Sequence, residues 1–178
     1  RMEVPKKMLK EFTPPASRVT HTTTIEKDVY RIEHAIRKSK RPIIIAGQGV
    51  RLAGAMPQFQ TLVEKLRIPV LTSRLGIDLI ESDSDLYVGR PGTYGERSAH
   101  FAIQNSDLII ALGSRLSSST VGHSPKDFGK HAKKIMVDID KEELNKPGID
   151  IHVKINQNVK HIIEELAKRV VLDDLPSY

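Results

Sequence analysis

Apolar positions along this chain follow two different periods. Ile25, Val29, Ile32 and Ile36 recur at helical spacing, and Thr23-x-x-Glu26 reads as a capping box, so a helix is expected from about residue 23. Unbroken apolar runs at 43–46 and 108–112, and the run 135–139 interrupted only by Asp138, have the composition of buried strands, with Ile44 and Ile110 buried at the centre of a sheet. Shorter strands are expected at 68–72 and 86–88. Residues 151–155 alternate apolar and polar, the mark of an edge strand. Between them, Met56, Phe59, Val63 and Leu66 predict a helix near 52–66, and a second is expected near 96–105. Val159, Ile162, Ile163 and Leu166 predict the last. Strands alternating with helices in this way predict an α/β fold: a doubly wound, six-stranded parallel sheet with helices on both faces.

The 178 residues suffice for one such domain with a full core. Residues 23–169 form this Rossmann-like unit. Residues 1–22, with Thr13-Pro-Pro-Ala-Ser17, read as a linker from a preceding domain, and Arg1 to Pro5 as the end of its last strand; 170–178 read as a linker to a following one. The absence of cysteine excludes disulfides, thiolate zinc sites and cysteine nucleophiles, and fits a cytoplasmic location. No apolar run is long enough to cross a bilayer. The net charge of +6 raises the question of nucleic acid. Aromatics are only 4% of the chain, however, and the densest basic cluster, Lys130-His-Ala-Lys-Lys134, has none interleaved, so a solvated basic face is the better reading.

In a doubly wound sheet, ligands bind beyond the carboxyl ends of the strands. The residues placed there are Gly47, Gln48 and Gly49; Thr72, Ser73 and Arg74; Gly89, Arg90, Gly92 and Thr93; Gly113, Ser114 and Arg115; then Asp138 and Asp140. Glycines let another molecule approach the backbone closely, and arginine forks match phosphate, so the set suits a phosphate-bearing ligand. The first of these turns leads towards a helix whose free amides suit a pyrophosphate. Leu52 stands where the third glycine of a dinucleotide fingerprint belongs, and the second strand ends without an acid for a ribose diol, which disfavours conventional NAD binding. Each element also has a purely structural reading: a tight strand-to-helix turn at 47–49, solvated arginines at Arg74 and Arg90, a polar loop at 117–120, and helix capping by Asp138 and Asp140. No histidine pairing marks a metal site, and no nucleophile elbow or carboxylate dyad is present.

Five segments occur in an order that resembles one family: Arg41-Pro-Ile-Ile-Ile-Ala-Gly-Gln-Gly-Val, Ile68-Pro-Val-Leu-Thr-Ser, Gly89-Arg-Pro-Gly-Thr-Tyr-Gly, Asn105-Ser-Asp-Leu-Ile-Ile-Ala-Leu-Gly-Ser-Arg115 and Ile135-Met-Val-Asp-Ile-Asp140. Over about residues 22–168 the chain resembles the central domain of thiamine-diphosphate-dependent enzymes, and most closely the acetolactate (acetohydroxyacid) synthase-like branch. The resemblance implies a parent of three domains, a homodimer or homotetramer, with thiamine diphosphate and magnesium held between its first and third domains. The activating glutamate and the Gly-Asp-Gly metal motif belong to those flanking domains, so this chain is expected to be non-catalytic by itself.

In acetolactate synthases the central domain binds FAD without redox use in the main reaction. Carried over by motif, the contacts are Gly47, Gln48, Gly49, Thr72, Ser73, Gly89, Arg90, Pro91, Gly92, Thr93, Gly113, Ser114, Arg115, Asp138 and Ile139. Two departures bear on that ligand. Ser117-Ser-Ser119 stands where FAD-binding members carry Asp-Asp-Arg, and Gln157-Asn158 where they carry Gly-Asp. The losses leave three outcomes open: weakened FAD, another adenine nucleotide such as the ADP of the oxalyl-CoA decarboxylase branch, or a ligand-free spacer.

Overall fold

The computed structural model describes residues 22–169. The expected linkers at either end, and the strand end at residues 1–5, lie outside them, as does the side chain of Thr23 in the expected capping box. Helix α1 (Thr22–Lys38) leads into β1 (Pro42–Ala46), the short α2 (Gln48–Leu52) and α3 (Met56–Leu66). β2 (Val70–Thr72), β3 (Tyr87–Gly89), α4 (Arg97–Asn105) and β4 (Leu108–Leu112) follow. A single turn, α5 (Ser118–Val121), precedes β5 (Lys133–Asp138), α6 (Lys141–Asn145), β6 (Val153–Asn156) and α7 (Val159–Arg169).

The six strands form one parallel sheet in the order β3-β2-β1-β4-β5-β6. This is the doubly wound order, with its switch point between β1 and β4. Ile44 and Ile110 are register partners in those two strands and both are 1% exposed. Alternation along each strand divides the core between two faces. Ile44, Ile110, Ile135 and Ile155 pack with Ile32, Phe59 and Ile162 from α1, α3 and α7, while Ile45, Ile109 and Met136 pack with Ile103 and Leu144 from α4 and α6.

The expected helix near 52–66 is two helices. Gly54 takes a left-handed φ of +63° and ends the first, and Pro57 in the opening turn starts the second. β2 begins at Val70 because Pro69 has no amide to give the ladder; its carbonyl still accepts from the Ile44 amide at 2.9 Å, and Ile68 remains core. β5 starts two residues earlier than expected and releases Ile139, which is 72% exposed. β6 is the alternating edge strand, beginning at Val153 rather than Ile151. The serine-rich stretch read as loop contains α5, bounded by Ser117 and by Gly122 at φ +81°.

Candidate functional site

The carboxyl edge gathers the loops that follow β1, β2, β3, β4 and β5, and the sequence candidates all stand on them. At the switch point the loop after β1 lies directly on the loop after β4. The Gly47 amide donates to the Leu112 carbonyl and the Gly49 amide to the Gly113 carbonyl, each at 2.9 Å. A Cβ at Gly47 would overlap the Gly113 carbonyl, and one at Gly49 would come within 2.7 Å of the Gly113 Cα. The bare Cα atoms therefore admit a second stretch of backbone. The amides of Gly47 and Gly49 are engaged inside the protein, and α2, which follows them, is five residues long.

The loop after β3 is closed in the same manner. Gly92 sits at φ +116° against the Ser119 carbonyl, to which the Thr93 amide donates at 3.3 Å. The Arg90 guanidinium donates to Glu96 Oε1 through Nε at 3.1 Å and a terminal nitrogen at 3.0 Å, and its backbone amide donates to the other Glu96 oxygen. Burial opposes ionisation of Glu96, but these hydrogen bonds outweigh it and hold the carboxyl below its ordinary range. Across the sheet, Arg115 pairs with Glu143 at 2.6 Å, while Lys146 bonds both the Arg115 carbonyl and Glu143. The Arg115 side chain is still 70% exposed, and such a pair opens at little cost.

Thr72 and Gln157 are buried, and their Oγ1 and Oε1 have no hydrogen-bond partner. Asp138 is nearly buried; burial is the main cause that raises its pKa, with Glu143 and Asp140 adding to it. Its Oδ1 accepts from the Asp140 amide, and Asp140 in turn caps α6 by accepting from the Glu142 amide, both at 2.9 Å. Asn156 ties the same corner by donating to the carbonyls of Asp138 and Ile139. Ser114 is buried, and Ser117 and Ser119 bond each other at 2.8 Å.

The structure thus brings Gly47 and Gly49 together with Gly113, and Gly92 and Thr93 together with Ser119. Arg90 and Arg115 each face a carboxylate. A cavity of about 370 Å³ beside the β3 loop includes only Gly92 and Thr93 of the candidates; His100, Gln104, Thr120 and His123 also line it. His100, which the sequence presents as an isolated histidine, has a ring nitrogen 3.0 Å from the Gly92 carbonyl. Helical register within 96–105 was the one signal that could have aimed it at the preceding loop. Five of the seven large exposed apolar side chains among the described residues also stand on carboxyl-edge segments: Leu52, Leu75, Ile77, Tyr94 and Ile139. No group of three or more His, Asp or Glu among the described residues is placed to hold a metal ion, and no described helix is long and apolar enough to cross a membrane.

Tested against FAD, this edge does not fit a tightly held dinucleotide. The glycine amides that would face a diphosphate are engaged, and Arg90 and Arg115 have internal partners, while Arg74 is exposed in the turn after β2. No charged residue replaces the family's Asp-Asp-Arg at 117–119.

Residues 29–166 match the family model described as the thiamine pyrophosphate enzyme, central domain. The chain is 36% identical over 152 residues to a probable acetolactate synthase large subunit of Methanococcus aeolicus, covering 85% of this chain and 24% of that protein. It is 33% identical over 153 residues to the acetolactate synthase isozyme 2 large subunit of Escherichia coli, covering 82% and 28%. With the acetolactate synthase large subunit of Lactococcus lactis it shares 33% identity over 140 residues, covering 76% and 24%. The chain therefore spans about a quarter of the length of the curated relatives it matches.

Proposed function

The chain belongs to the thiamine pyrophosphate enzyme central-domain family, as the central domain of an acetolactate synthase-like protein, and we propose that it orients flanking domains of its parent and performs no catalysis by itself. In this reading residues 23–169 are the domain, and 1–22 and 170–178 join it to neighbours that carry thiamine diphosphate and magnesium. The observation that carries the reading is the family match over residues 29–166. The exposed Leu52, Leu75, Ile77, Tyr94 and Ile139 on one edge support it, because apolar side chains grouped in this way suit a packed neighbour. The family's Gly-Asp-Gly metal motif does not occur in the 178 residues.

The same edge keeps a weak adenine-nucleotide site. Arg115, exposed and lightly held, meets a phosphate; Asp138 and Ile139 face the adenosine end; and the loops at 47–49 and 113–115 supply shape more than hydrogen bonds. The purified chain is accordingly colourless, and ADP binds loosely. Arg115→Ala weakens ADP binding at this edge, read from the Ser114 amide, about tenfold, the value of one charge-assisted contact.

The chain given thiamine diphosphate, magnesium and pyruvate yields neither acetolactate nor carbon dioxide above blank; turnover would overturn the assignment. A yellow preparation with one flavin per chain would overturn the weak-site reading alone.

A further inference from the structure

The opposite, amino edge of the sheet carries a groove that none of the reading above uses. Arg31, His34, Ala35 and Lys38 stand at i, i+3, i+4 and i+7 on α1 and form one wall. Leu108 and Lys133, the first residues of β4 and β5, form the other, with Ser39 and Asp107 between them. The space enclosed is about 360 Å³, and Ala35, the smallest side chain of the helical row, leaves it open between two cations.

Three basic side chains and a histidine therefore line a groove whose single carboxylate is already satisfied. Asp107 accepts from the Ser39 hydroxyl, the Lys40 amide at 2.8 Å and the Arg41 amide at 2.9 Å. Burial opposes its ionisation, yet these bonds hold its pKa below the ordinary value, so it is an anion committed to the β1 and β4 entry turns. Arg31 shares Asp28 at 3.3 Å. The side-chain ammonium groups of Lys38 and Lys133 have neither an ion-pair nor a hydrogen-bond partner among the described residues. His34 is fixed by stacking on Tyr30, with ring centroids 5.8 Å apart and planes 15° from parallel.

A helix C-terminus favours a basic residue in its last turn, which accounts for Lys38 taken singly. It does not account for Lys133, which arrives from a different element across the groove. Arg31 and Lys38 are seven residues apart, about 10 Å along the helix axis, so one compact phosphate does not meet both ends of the row. We propose that this groove binds a ligand carrying two or more adjacent phosphate groups, with Lys38 and Lys133 gripping it from opposite walls and Arg31 and His34 extending the contact. The shared chemistry is the diphosphate, supplied by inorganic pyrophosphate or by a nucleoside diphosphate.

Calorimetric titration of the 178-residue chain with inorganic pyrophosphate, orthophosphate, ADP and adenosine tests this. Pyrophosphate and ADP bind, orthophosphate binds at least tenfold more weakly, and adenosine does not bind. The double variant Lys38→Gln/Lys133→Gln loses at least tenfold in pyrophosphate affinity, while its denaturation midpoint, measured in parallel, stays at the wild-type value because both side chains are exposed and unpartnered. ADP binding tighter than pyrophosphate makes the nucleotide the source; equal affinities make the diphosphate alone sufficient. The proposal is overturned if pyrophosphate fails to bind at millimolar concentration, if the double variant binds as wild type, or if Arg115→Ala rather than the lysine pair abolishes binding.

Discussion

The two edges of the sheet carry similar residue types and put them to different use. At the carboxyl edge the glycines pack against another loop and Arg51, Arg90 and Arg115 each face an acid, Arg74 being exposed with no ion-pair partner among the described residues. At the amino edge Lys38 and Lys133 line open space without a partner. Binding capacity is therefore set by which groups remain uncommitted and how much room they enclose, and glycines and arginines at a strand end do not by themselves make a phosphate site. The overall charge of +6 says nothing about this division, because the paired arginines count as fully as the free lysines.

The largest effect belongs to the carboxyl edge. Gly47→Ala or Gly49→Ala forces a Cβ into the backbone of Gly113 and costs about 3–5 kcal/mol in denaturant unfolding. Gly54→Ala is the control: its φ is left-handed, unlike those of Gly47 and Gly49, but nothing lies within 4 Å of the added Cβ, so backbone strain alone costs about 1 kcal/mol. Equal costs at Gly47 and Gly54 would remove the loop-on-loop packing from the comparison.

The sheet between the edges supplies a yardstick. Ile44→Ala and Ile110→Ala each cost about 2–5 kcal/mol, since both are buried register partners at the switch point. Near-neutral effects at both would mean that the register is wrong.

Asp107 tests the amino edge. Asp107→Ala leaves the Lys40 and Arg41 amides without this acceptor and costs about 1–3 kcal/mol at neutral pH. A carboxylate with a depressed folded pKa adds stability above its unfolded pKa and loses it as pH falls through the folded one. The gap between wild type and Asp107→Ala therefore narrows on acidification below about pH 4, the ordinary carboxylate value. A gap independent of pH in that window would show that Asp107 is not held as an anion.

Arg115→Ala has the smallest effect on stability, below about 0.5 kcal/mol, because the pair with Glu143 is largely in water. A larger loss would make this pair a structural tie and tighten the closure of the carboxyl edge.

Much of the fold was legible from apolar runs. Residues 108–112 read as a buried strand and are β4, because five consecutive apolar side chains need cover on both faces. The single helix expected near 52–66 runs through Gly54, and only the left-handed φ there shows that it separates α2 from α3. At the candidate site the glycines at 47 and 49 read as room for a ligand against the backbone, and the structure shows a second loop packed there. What approaches is Gly113, more than sixty residues away, and local sequence carries no record of that partner. The structural reading of Asp140 as a helix cap was the right one, and Arg90 has an acid six residues on rather than solvent alone. The amino-edge groove was half visible, in the helical spacing of Arg31, His34 and Lys38. Lys133 joins them only through the β4–β5 pairing, which places it beside Leu108.

A residue-resolved amide titration of the chain with ADP tests the division of the two edges directly. The account predicts that the first and largest shifts fall on Arg31, Ala35, Lys38, Leu108 and Lys133. Ser114 and Arg115 respond only at higher concentration, and Gly47, Gly49 and Gly113 stay nearly fixed. First and largest shifts at Gly47, Gly49 and Gly113, with the amino edge silent, would contradict it.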